Sequence, residues 1–219
     1  MLSASEARQV TLRRLGDAGF PQPPAHLPLL ADHEFPFVLR SMDEVIDRIL
    51  VVAVRLAIAF GMPISDARLW LSANSLTGSL SSRESALVGG LVEGSAQDTA
   101  QVEALWALAW AVGLVPRLDH AAYCSDELVT LLPDLRIQEP VRTWRARTHL
   151  SLRSPDELLA ELDLLYAMTW GIASANLAGS RAPGEVEEYV FWERRRALEW
   201  VRIDSGNSHS GWDEIDLST

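Results

Sequence analysis

Apolar residues recur through most of this chain at spacings of three and four, the period that lines one face of an α-helix. No stretch alternates apolar and polar residues as a half-buried strand does. The helix starts are marked chemically. Ser3, Ser41 and Ser81 each stand three residues before a glutamate (Glu6, Glu44, Glu84), so the hydroxyl can accept that backbone N–H while the carboxylate bonds back. Ser154-Pro155-Asp156-Glu157 adds a proline at the first helical position and two acids on the positive end of the helix dipole. Stops are equally legible in Gly19, in Gly61 with Pro63, and in Gly113 with Pro116. These signals predict helices over 4–17, 42–60, 65–74, 82–92, 98–112, 125–132, 155–178 and 184–202. The expected architecture is all-α: a single compact domain over 1–219 of about eight helices.

Within that frame, Val45 to Phe60 becomes apolar on every side, the mark of a central helix wrapped by others. Arg55 in its middle must then pair with a buried carboxylate or reach the surface along its own stem. Asp98 to Val112 instead carries one broad stripe (Val102, Leu105, Trp106, Ala109, Trp110) and should cover one side of a core. Residues 20–40, with Pro21, Pro23, Pro24, Pro28 and Pro36, read as an extended connector, too apolar to hang free and so expected to wrap the surface. The tail over 204–219 opens on a polar Gly-Ser loop and ends with Trp212 and Ile215, which can dock it back on the body.

Composition narrows the function. Hydrophobic residues make up 48% and charged residues 22%, the balance of an ordinary globular chain. All 19 basic residues are arginines, against 30 acids, giving a net charge of −11. That balance argues against duplex binding, and the absence of lysine excludes Schiff-base and phosphate-loop lysine chemistry. The longest apolar run, Ile49 to Phe60, falls well short of the roughly 20 residues that cross a bilayer, so no membrane span is expected. Cys124 is the single cysteine, so no internal disulfide forms and the reducing cytoplasm is the expected setting.

Few motifs carry chemistry. The five histidines are scattered, and only His120 and Cys124 form a local pair of metal-binding types, so neither a metal nor a cofactor is expected. No nucleophile elbow or glycine-rich nucleotide loop is present. Arg142, Arg145 and Arg147, with Trp144 between them, form a possible anion patch that nearby acids are expected to neutralise. The last third holds a denser constellation. Asp163, Tyr166 and Trp170 share one face of a helix, and Glu193, Ala197 and Trp200 share a face of the next, with Arg194 beside them. A carboxylate on such a packed face is costly without a partner, so an arginine or indole N–H should meet each acid. The other use of this cluster is a pocket for a polar or cationic ligand.

These residues also carry a resemblance. Leu152-Arg153-Ser154, Leu162-Asp163-Leu164-Leu165-Tyr166 with Trp170, the run Glu193 to Trp200, and Trp212-Asp213-Glu214-Ile215 are similar to the bacterial family catalogued as domain of unknown function 4272. Arg14-Leu15 with Gly19-Phe20, and Glu44 with Arg48, look like that family's opening. The family has no assigned activity, so the resemblance implies no catalytic residues.

Charge and the lack of catalytic motifs point away from an enzyme and toward an acidic cytoplasmic protein-binding domain, of the immunity or antitoxin type that neutralises a basic partner. The alternative is an enzyme or small-ligand binder built on the tryptophan and carboxylate cluster of the C-terminal third. A third form is a subunit of a homo-oligomer joined through exposed apolar helix faces.

Overall fold

In the computed structural model, which describes residues 2–30, 37–203 and 211–218, the helices run α1 (Ala4–Asp17), α2 (Met42–Ala59), α3 (Ile64–Ala73), α4 (Ser82–Val88), α5 (Ala96–Ala100), α6 (Val102–Ala111), α7 (Leu128–Leu131), α8 (Val141–Arg147), α9 (Pro155–Leu177) and α10 (Glu188–Val201). Ser3, Ser41, Ser81 and Ser154 each close a reciprocal capping box at the start of α1, α2, α4 and α9. The fold is all-α apart from short 3-10 turns and one small ribbon among the described residues. In that ribbon β1 (Val38–Leu39) pairs antiparallel with β2 (Arg202–Ile203), and Val38 lies opposite Ile203.

The expectation of an all-α fold of about eight helices holds, and each difference in bounds has a local cause. The 82–92 helix stops at Val88, where Gly90 at φ +72° lets the Gly90 N–H reach the Leu87 carbonyl and the Leu91 N–H reach that of Ala86. The 98–112 helix is two: Ser95 rather than Asp98 precedes the first turn, and the axis is interrupted at Gln101. The 125–132 helix shrinks to the single turn of α7, and the 184–202 helix begins at Glu188 because Gly184 holds φ +108°. Helix α8 was hidden in the arginine-rich stretch, since only Trp144 of its residues is buried.

Packing runs as a relay. Helix α9 lies between α1 and α10, α10 packs on α6, α6 on α2, and α2 carries α3, α4 and α5. As its apolar run predicts, α2 is buried from Val45 to Leu56 except at Asp47. It also buries two arginines. Arg48 meets Glu84 of α4 at 2.8 Å, and Arg55 meets Asp98 of α5 at 2.8 Å, so the second α2 arginine takes a buried carboxylate rather than reaching water. Burial tends to raise the Asp98 pKa, but hydrogen bonds from Ser95, Arg83 and Arg55 hold its carboxyl far below the usual range.

The connector lies against the helices through Phe20, Leu27 and Leu30, all buried. Its Pro21 ring comes within 3.1 Å of where a Cβ would stand on Gly171, so a side chain there on α9 would have to push the ring back by a few tenths of an ångström. At the other end Trp212 is buried edge-on against Trp200, with ring centroids 5.9 Å apart, and its indole N–H donates to Gln101. The parts of the connector at 31–36 and of the tail loop at 204–210, including His33, Phe35, Pro36 and His209, lie outside the described residues. Among the described residues no helix is long and apolar enough to cross a membrane.

The Ser154 box opens the longest helix, yet its hydroxyl and the Glu157 carboxylate face solvent. Replacing Ser154 with alanine should therefore lower stability by about 1 kcal/mol, read as an earlier urea midpoint at unchanged slope. An unchanged midpoint would show that the box does not hold that helix end.

Candidate functional site

Between α6 and α7 the chain runs from Val112 to Glu127 without regular structure, so side chains rather than a backbone ladder must set its shape. Arg153 holds its start through the carbonyls of Val115 and Pro116, both at 3.0 Å, and a buried ion pair holds its middle. Arg194 of α10 donates through Nε and Nη2 to a single Glu103 oxygen on α6, at 2.9 and 2.8 Å. Its remaining N–H groups reach the carbonyls of Asp119 (2.6 Å) and Ala122 (2.8 Å). The other Glu103 oxygen accepts the Cys124 N–H at 2.8 Å. The pair thus pins the loop at three backbone points, and His120 and Cys124 enter the walls of two different cavities.

The larger cavity is a groove of about 1020 Å³ between the end of α2, the start of α3 and the segment around α7. Leu56, Leu105 and Leu128 contribute to its walls, while Phe60 and Val129 stand 72% and 64% exposed at its lips. Its charges are unequally compensated. Arg136 binds Asp134 with two hydrogen bonds, and Arg147 binds Glu139 likewise. Asp66 and Asp126, both exposed, take no ion pair among the described residues. Burial and the neighbouring Glu103 carboxylate push the Cys124 thiol up to about 12, so the groove presents a protonated, unreactive sulfur at neutral pH.

The smaller cavity, about 450 Å³, lies between the end of α1, the pinned loop and α9. Behind it His120 Nε2 meets Glu161 Oε1 at 2.6 Å, and Arg14 holds the other Glu161 oxygen at 2.7 Å. Burial works to raise the Glu161 pKa, but His120 and Arg14 outweigh it and hold the carboxyl down to about 2. Among the described residues no group of three histidine, cysteine or acidic side chains is arranged to hold a metal ion.

None of the residues singled out in the C-terminal third lines either of these two cavities. Asp163 is buried against α1, where Arg8 grips it at 2.8 and 3.0 Å and also donates to the Leu27 and Pro28 carbonyls of the connector. Tyr166 lies under the Arg195 guanidinium, 4.7 Å from it, and Trp170 packs half-buried on the core. Glu193 stands 3.3 Å from Arg196, and burial raises its pKa against the pull of Arg196 and Arg55. Trp200 has Arg40 and Arg48 over its ring at 4.5 and 5.4 Å. In the arginine patch, Arg145 pairs with Asp43 and Arg147 with Glu139, leaving Arg142 exposed.

Glu103 and Glu161 escaped the sequence reading although each carried a signal. Both acids sit within apolar helical stripes, Glu161 between Leu158 and Leu165 and Glu103 beside Ala107 and Trp106, where only a partnered carboxylate is tolerated.

Removing Arg194 strands the buried Glu103 charge and the carbonyls of Asp119 and Ala122. Arg194→Ala should cost about 3–5 kcal/mol of stability in denaturant unfolding, whereas a loss under about 1 kcal/mol would show that the pair does not hold the middle of the loop. Acid stability tests Glu161 separately. Its folded pKa lies below the ordinary 4.5, so its contribution is complete above that pH and is lost as pH falls toward about 2. In Glu161→Gln the decline of unfolding free energy across that window should be shallower than in the parent, and equal slopes would refute the assignment.

A family model described as "Domain of unknown function (DUF4272)" matches residues 7–215. Neither the curated proteins nor the solved structures include a match to the chain. With the match covering nearly all of the described helices, the chain belongs to the DUF4272 family.

Proposed function

We propose that the chain is a binding protein whose large groove takes an apolar, basic segment of a partner protein. The observation that carries this reading is the groove itself: apolar walls, Phe60 and Val129 exposed at its lips, and Asp66 and Asp126 beside them without ion pairs among the described residues. Large apolar side chains rimmed by charge mark surfaces that gain by being covered. A net charge of −11 speeds encounter with a basic partner and repels nucleic acid. A cytoplasmic bacterial neutraliser of a basic effector, of the immunity or antitoxin type, is the role this surface suits.

The competing idea of a ligand pocket at Asp163, Tyr166, Trp170, Glu193, Arg194 and Trp200 draws less support. Asp163 and Arg194 are consumed by internal pairs, and Trp200 is covered by Arg40, Arg48 and Trp212.

Two amphipathic model peptides test the proposal, one of leucine and arginine and one of leucine and glutamate. The basic peptide should bind, and more weakly as salt rises, while the acidic one should not. Phe60→Asp, at a position exposed enough to leave folding intact, should weaken binding of the basic peptide by at least about tenfold. Equal binding of both peptides, no binding, or an unaffected Phe60→Asp variant would each overturn the reading.

A further inference from the structure

We propose that the partner segment taken by the groove continues over its lip onto the 89–94 loop, where Leu91 and Val92 receive further apolar side chains of that same segment. This inference rests on the groove reading and extends it to the partner's own pattern: apolar residues in the groove, basic residues at the lip opposite Asp66, and apolar residues again beyond.

The way α4 ends supplies the first ground. With Gly90 at φ +72°, the Gly90 N–H donates to the Leu87 carbonyl at 3.0 Å and the Leu91 N–H to that of Ala86 at 2.9 Å. A helix end closed in this way commonly packs the residue after the glycine against a side chain of its own last turn. Here that turn offers only Ala86 and Ser85, too short to cover a leucine, and Leu91 stays 82% exposed with Val92 beside it at 40%. The two hydrogen bonds fix the Leu91 backbone, so its side chain is held out to solvent in one place. Apolar side chains held out in this way gain by being covered.

The second ground is position. A Cβ on Gly94 would stand 3.3 Å from the Cα of Ala59, the last residue of α2, and one on Gly90 would stand 3.9 Å from Cδ1 of Ile64, the first residue of α3. The loop therefore lies along the α2–α3 turn, and the residues of that turn, Phe60 to Pro63, line the groove. One turn serves both surfaces, so a segment that leaves the groove across Phe60 reaches Leu91 next. Charge supplies the third ground. Glu93 on the loop and Asp66 at the lip are exposed and take no ion pair among the described residues. The cation that touches the loop, Arg68, gives its Nε–H to the Val88 carbonyl at 2.6 Å, and the two carboxylates outweigh it in favour of a basic segment.

The test titrates the full protein calorimetrically with two amphipathic leucine and arginine peptides, one of about ten residues and one of about twenty, lengths of roughly 15 and 30 Å when helical. The longer peptide should bind at least about tenfold more tightly, because its second half adds a contact to a segment already held. Leu91→Ser, at an exposed position that carries no packing, should remove most of that difference and leave the affinity of the short peptide unchanged. Long peptides in which serine replaces the leucines of one half or the other keep every arginine, and they should bind the parent no more tightly than the short one. If the short peptide binds but Leu91→Ser does not weaken the long one, or if the serine-substituted peptides match the all-leucine one, this inference falls and the groove reading stands. Failure of the short peptide to bind would remove the groove reading and this inference with it.

Discussion

The fully buried ion pair between Arg194 and Glu103 is the constraint on which both concave surfaces depend. It joins α10 to α6 and uses the remaining donors and acceptor of its members to hold the carbonyls of Asp119 and Ala122 and the N–H of Cys124. A buried pair of this sort adds little net stability over a well-packed apolar alternative, because desolvating two charges offsets most of their attraction. What it contributes is position. A loop with no ladder of its own is given one shape, and that shape carries a wall of the groove and a wall of the smaller cavity.

The same device recurs across the relay of helices. Arg8 joins α1 to Asp163 of α9 while binding the connector, Arg48 joins α2 to Glu84 of α4, and Arg55 joins α2 to Asp98 of α5. Every one of these partners is nearly closed to solvent. Apolar helix faces slide and rotate past one another at modest cost, whereas a guanidinium fork meets a carboxylate in few orientations. The arginines therefore act as locks on helix order around a core that Leu, Val and Trp side chains supply. With no lysine in the chain, all of these contacts use the planar, always charged group best suited to burial.

This use of charge explains the contrast between interior and surface. Many of the basic side chains are drawn inward or tied to neighbours, although Arg13, Arg142 and Arg181 stay exposed, while acids such as Asp66, Asp126, Asp17 and Glu185 remain exposed and outside ion pairs among the described residues. The strongly negative exterior follows in part from the architecture, because folding spends arginines on the interior. The proposed ligand of the groove, a basic peptide segment, fits a surface that this asymmetry leaves behind.

Sequence alone determined the helical class, the capped starts of α1, α2, α4 and α9, and the burial of α2, since each rests on contacts within a few residues. It also determined that carboxylates such as Asp163 on packed stripes need partners, because the cost of a buried charge does not depend on which helix arrives opposite. Only the tertiary structure decided who those partners are. Arg8 and Asp163 are 155 residues apart, and Arg194 and Glu103 are 91 apart, so no local period connects them. It decided too that Asp163, Arg194 and Trp200 would each take a partner from elsewhere in the chain and that His120, Glu161 and Arg14 would meet. Helical periodicity says which residues share a face, but the surface that face meets is set by the packing of distant elements and by the charges they bring.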